Sequence, residues 1–190
     1  FEMWTNAHVT KLVTETMADG SLQCTGVQVW NGSEMVTATA RREVILSAGA
    51  IGSPQLLQLS GIGPASLLQQ QGIPVVADLP GVGANLQDHL QIRSVFKVKG
   101  AKTLNTLANS LHGKAAIGLE YALKRTGPMS MAPSQLGAFT RSSPDHVWHN
   151  LEYHVQPLSL DAFGGPLHTF PAFTASVCNL NPTSRGTVHI

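Results

Sequence analysis

The sequence predicts a mixed α/β (α+β) chain of 190 residues in two parts that meet near Asp88 and His89. Three observations carry this. The first forty residues alternate apolar and polar with period two, as half-buried strands do. A continuous apolar run ending in small residues then leads into a capped helix, the pattern of a strand buried on both faces. Beyond a Pro- and Gly-rich crossing, apolar residues recur every three or four positions as on one face of a helix, with further strands after them.

Taken in order, residues 7–13 and 25–30 alternate as strands, and residues 34–40 return as a third. Asn31-Gly32 between the last two favours positive φ in a tight hairpin turn. Asn31-Gly32-Ser33 also matches a glycosylation acceptor, which the turn explains without secretion. Residues 43–50, EVILSAGA, read as the buried strand. Ser53 then suits an N-cap, and Pro54 the first position of a short helix over 54–59. A second short helix over 64–71 stops at Gly72, a natural left-handed cap. Residues 90–99 read as a strand. Residues 106–125 read as the longest helix, with Leu107, Leu111, Ala115, Leu119 and Ala122 on one face and Gly127-Pro128 as its stop. Residues 135–141, 150–156, 173–177 and 187–190 read as strands.

Composition narrows the function classes. Twelve Lys and Arg against eleven Asp and Glu give a net charge of +1, which excludes charge-driven binding to nucleic acid or an anionic membrane as the main activity. No apolar run nears the roughly 20 residues a spanning helix needs. Two cysteines, Cys24 and Cys178, make no disulfide framework. Charged residues are 12% of the chain, about half of the roughly 25% usual for a soluble domain. Either Gln, Ser, Thr and Asn supply the polar surface, or more protein covers much of this one. The start at Phe1 and the strand-like last residues fit a piece of a longer protein.

The segment from Ser47 to Pro64, SAGAIGSPQLLQLSGIGP, with GVGANLQDH from Gly81 to His89 and PTSRGTV from Pro182 to Val188, closely resembles the glucose–methanol–choline (GMC) oxidoreductases, in particular their choline-dehydrogenase-like branch. The likeness runs along essentially the whole chain. It implies that residues 1–88 are the C-terminal part of an FAD-binding domain of the two-sheet, Rossmann-like type. Residues 89–190 are then part of a substrate domain with an antiparallel sheet and helices. It implies an enzyme that oxidises a primary alcohol, choline among the candidates, to an aldehyde, with hydride passing to flavin N5 and a His near the family's C-terminus taking the hydroxyl proton.

Carried over residue by residue, Val9 matches the position whose backbone contacts the adenine of FAD. Ser47, Ala48 and Gly49 match the strand end along the nucleotide, where a larger side chain would fill the ligand's space. Gly52, Ser53 and Pro54 match a structural turn, and Asn85 to His89 the passage between domains. The family's phosphate loop is expected before Phe1 and its base after Ile190, so no catalytic residue is assigned and the chain alone is expected to turn over no alcohol. The resemblance leaves the electron acceptor open and implies a protein of the cytoplasm or the inner face of a membrane.

Glu152 and Tyr153, on a strand beside His154, are the candidates for meeting a substrate, since a quaternary ammonium calls for a carboxylate or an aromatic face. His146, His149, His154 and His168 have no carboxylate or cysteine at ligand spacing, so they read as loop or satisfied core histidines and no metal is expected. Asp88-His89 reads as a structural pair. No G-x-S-x-G elbow supports serine hydrolysis. The rival reading is a noncatalytic module that binds protein or an adenine nucleotide on the same scaffold.

Overall fold

A computed structural model describes residues 2–162 and 164–190. The chain divides into two compact units, Phe1–Gln87 with Ser184–Ile190, and Asp88–Thr183.

The first unit opens with an antiparallel meander of β1 (His8–Thr16), β2 (Leu22–Trp30) and β3 (Met35–Thr39), in that order. Alternating Leu12 on β1 and Val29 on β2 supply its buried side chains. The register slips between Val9 and Lys11, making Thr10 a bulge, and slips back between Val13 and Thr14 opposite Thr25. Such bulges add twist and re-aim the side chains beside them. The β2–β3 connection differs from the two-residue turn expected of Asn31-Gly32. Only Gly32 takes positive φ. The Asn31 carboxamide oxygen instead accepts from the backbone N–H of Ser33 and of Glu34, both at 3.0 Å, closing a wider loop.

Residues 43–47 are not a strand. A run of this kind holds its conformation through a ladder on each side, and no described strand pairs with it. Ile45 is 79% exposed as a result. Helix α1 (Gly49–Leu59) starts earlier than Ser53. Gly49 at φ +81° makes the sharp entry that a β-carbon resists. Ser53 lies inside the helix and its hydroxyl accepts from the Ala48 N–H at 3.0 Å. Pro54 stands in the second turn, where its missing N–H leaves the Ala50 carbonyl without a helical donor.

After α1 come β4 (Ile62–Gly63), α2 (Ala65–Gln70) and β5 (Ala77–Asp78), with β4 and β5 parallel. Gly72 closes α2 at φ +70°, with Gly72 N–H on the Gln69 carbonyl and Ile73 N–H on the Leu68 carbonyl. This pair of bonds is the Schellman arrangement. Residues 187–190, expected as a strand of the second domain, are irregular and belong to the first unit. Their backbone groups bond to Gly83 and to the Gln58 side chain rather than to a neighbouring strand.

The second unit is built on one antiparallel sheet of four strands. These are β6 (Gln91–Lys97), β7 (Leu136–Thr140), β8 (Leu151–Gln156) and β9 (Ala172–Asn179), in the order β6-β9-β8-β7. Between β6 and β7 the expected single helix is two, α3 (Leu104–Ala108) and α4 (Leu111–Lys124). Ser110 breaks it by acting as an N-cap whose hydroxyl accepts from Gly113 N–H at 2.9 Å. Gly113 suits that spot because a β-carbon there would run into the Leu107 carbonyl. The apolar face of α4 stays open, with Leu111 83% and Leu119 61% exposed. No described helix is long and apolar enough to cross a membrane.

Candidate functional site

The first unit holds a cleft of about 480 Å³ between β1 and α1. Ala7, His8, Val9 and Thr10 form one wall, and Ala48, Gly52, Gln55, Leu56 and Leu59 the other. On the helix side Ala48 and Gly52 are the small members of the wall. The two walls are held in place at the far end by Ser60, whose hydroxyl accepts the Leu12 N–H at 2.8 Å and donates to the Leu56 carbonyl at 2.6 Å. The lining carries no Lys, Arg, Asp or Glu. It offers aliphatic surface from Val9, Leu56 and Leu59 with polar edges from His8, Thr10 and Gln55, an environment that accepts a flat, neutral heterocycle.

Of the residues expected at a nucleotide, Val9 and Ala48 therefore share one cleft. Ser47 and Gly49 flank Ala48 along the chain and do not line it. A second, smaller hollow of about 230 Å³ is lined by Ala50, Pro54, Gly83 to Gln87 and Val188. Asn85 turns there in the left-handed region at φ +63°. This hollow was hidden in the sequence because Val188 reaches it from the end of the chain. The conformational signal was GVGAN itself, whose Gly83 has φ +80° and no room for a β-carbon between the Val188 carbonyl and the Gln58 amide.

In the second unit, Glu152 and Tyr153 are neighbours on β8 and so point to opposite faces of the sheet. No single pocket takes both. Glu152 shares its face with His154, whose Nε2 lies 3.3 Å from the Glu152 carboxylate, and with Cys178 directly across on β9. The three donor atoms lie within 4.8 Å of one another. Linear spacing conceals this cluster, since Cys178 joins it only through the β8–β9 register.

The other histidines differ. His168 is held between the Ser159 hydroxyl and the Asp161 carboxylate, each at 3.0 Å, and stacks on Phe170. The Ser–His–Asp order invites a hydrolase reading, but Ser159 is fully buried and its hydroxyl already accepts from the Asn105 amide at 2.8 Å. This is a structural clamp on the loop between β8 and β9. His146 lies 3.4 Å from the Asn150 amide in an exposed loop. Asp19 lies in the β1–β2 turn. The Ser21 hydroxyl and N–H bond its carboxylate and hold it below the usual carboxylate range.

The GMC oxidoreductase family profile matches residues 1–91. Over 184 residues the chain is 41% identical to an oxygen-dependent choline dehydrogenase of Burkholderia pseudomallei, covering 95% of this chain and 32% of that protein. The chain thus spans about a third of the length of the curated relatives it matches. Its fold is similar to that of an Aspergillus oryzae RIB40 formate oxidase studied for modification of its FAD, with a TM-score of 0.80 and 24% identity over 97% of this chain and 36% of that one. It is also similar to pyridoxine 4-oxidase from Mesorbium loti, with a TM-score of 0.68 and 24% identity over 97% and 31% of the two chains.

Proposed function

The chain belongs to the GMC oxidoreductases, and from that premise we propose that its first unit forms the adenine side of an FAD site in an enzyme that oxidises a primary alcohol. The observation that carries this is the shared cleft of Val9 and Ala48. Its chemistry suits a nucleobase: flat aliphatic walls, polar edges and no charge. Only the nucleobase is assigned to this cleft, and the grip on the diphosphate is left to other residues. Ala48 and Gly52 keep the helix side low, so a ring can slide against it. The backbone of Val9, next to the Thr10 bulge, supplies the edge that a base would meet.

FAD, when bound, would supply the acceptor for a hydride from the alcohol carbon. The residues of this chain hold and orient its nucleotide end, and none of them is assigned the proton. The relatives named as choline dehydrogenases make choline the first alcohol to try. The exposed apolar surfaces at Ile45 and along α4 support the reading that further protein packs on this chain in the working enzyme.

The test is thermal unfolding of the 190-residue chain with FAD, ADP or FMN. Ligands that bind only the folded form raise the midpoint. FAD and ADP are expected to do so and FMN, which lacks adenine, is not. Ala48→Phe, which fills the cleft, is expected to abolish the shift and leave the unliganded midpoint close to wild type, because Ala48 is exposed. A shift by FMN equal to that by FAD, or an unchanged ADP shift in Ala48→Phe, overturns the assignment.

A further inference from the structure

We infer that Glu152, His154 and Cys178 form a site for one zinc ion on the polar face of the second unit's sheet. The inference does not depend on the flavin reading. It starts from strand geometry: residues two apart on β8 share a face, and β9 sets Cys178 directly opposite Glu152. A carboxylate oxygen, an imidazole nitrogen and a thiol sulfur therefore converge within 4.8 Å on two adjacent, hydrogen-bonded strands. These are the three donor types that zinc takes.

The distances fit. Zinc–nitrogen and zinc–oxygen bonds of about 2.0–2.2 Å at a tetrahedral angle set the two ligand atoms roughly 3.3–3.5 Å apart. Glu152 Oε1 and His154 Nε2 are 3.3 Å apart. A plain ion pair explains that distance but not Cys178. Its side chain is buried, 5% exposed, and its thiol makes no hydrogen bond among the described residues. Cys24, by contrast, donates to the Gly26 carbonyl at 3.6 Å. A metal uses all three groups at once.

The neighbours leave room. Gly137 pairs with His154 and Ser176 lies on its other side, so the imidazole has no bulky flank. Charge also closes: a thiolate, a carboxylate and a neutral imidazole balance Zn²⁺, so Arg93, on the same face beyond Ser176, meets no net positive site. Binding replaces the Cys178 S–H bond by a Zn–S bond and releases that proton to solvent. His154, 36% exposed at its side chain, leaves the fourth vertex open to water.

The experiment loads the chelator-washed 190-residue chain with Zn²⁺, and separately with Co²⁺ as a spectroscopic stand-in. One equivalent of zinc is expected to survive desalting, and cobalt to give a thiolate-to-metal charge-transfer band with tetrahedral ligand-field intensity. Cys178→Ser is expected to lose the band, and His154→Gln to weaken zinc at least about tenfold. Cys24→Ser is expected to keep both. If the Cys178 variant fails to fold, the wild-type cobalt spectrum still decides. No charge-transfer band in the wild type, less than half an equivalent of retained zinc, or unchanged zinc affinity in a folded His154→Gln/Cys178→Ser chain overturns the site.

Discussion

Gln58 and Val188 stand 130 positions apart, and the buried Gln58 amide donates to the Val188 carbonyl at 2.8 Å. Its other end, Oε1, accepts the Ile190 N–H at 3.1 Å. One side chain thus does for residues 188–190 what a neighbouring strand does elsewhere. Gln58→Leu keeps the volume and removes both bonds. Each backbone group left orphaned costs about 1–3 kcal/mol where it is shielded from water. A loss of about 2–4 kcal/mol in urea unfolding is expected, with faster hydrogen exchange at Ile190. Unchanged exchange there means Gln58 does not hold the segment.

Gly83 makes that grip possible, and a comparison of two glycines separates its causes. Gly83 and Gly20 have nearly the same φ, +80° and +83°. A β-carbon on Gly20 meets nothing within 4 Å, whereas on Gly83 it collides with the Val188 carbonyl and the Gln58 amide. Gly20→Ala is expected to cost only the left-handed penalty of about 1–2 kcal/mol. Gly83→Ala adds overpacking of about 1–3 kcal/mol. Equal losses in the two variants by chemical denaturation contradict the steric account.

How much of this was legible follows from the range of each interaction. The meander was readable because period-two alternation is local, and the stop at Gly72 because a left-handed cap is local too. The helix break at Ser110 was readable in principle, from a Ser three residues before a Gly, but the leucine spacing runs across it and masks it. Residues 43–47 misled because an apolar run does not itself supply the neighbouring strands that would bury it and complete its ladder. Val9 and Ala48 could be paired only through resemblance. Glu152, His154 and Cys178, like Gln58 and Val188, needed register and topology, which no window of sequence contains.

Ser60 ties the cleft's two walls together, so its loss is expected to be felt both in stability and in ligand response. Ser60→Ala removes the acceptor for Leu12 N–H in a place 2% exposed. An unsatisfied buried donor costs about 1–3 kcal/mol. The ADP-induced rise in unfolding midpoint is expected to shrink as well, because β1 is no longer pinned to the end of α1. Ser60→Thr, which retains the hydroxyl, is expected to recover most of the ligand response. Full stability in Ser60→Ala, with its ADP shift intact, contradicts this role.

Asp19 allows a pH prediction with a definite sign. Its carboxylate is held below the ordinary value, first by the Ser21 hydroxyl at 2.6 Å and then by the Ser21 N–H at 2.9 Å. A depressed folded value means the charged form is favoured by folding. The turn's contribution is therefore present above the ordinary carboxylate value of about 3.9 and fades as pH falls through the lower folded value. The group is exposed, so the consequence is local. A titration of Asp19 followed by NMR is expected to move upward in Ser21→Ala, while the remaining N–H bond keeps it short of the free value. A titration that stays where it was, or moves down, shows that the hydroxyl is not the main cause.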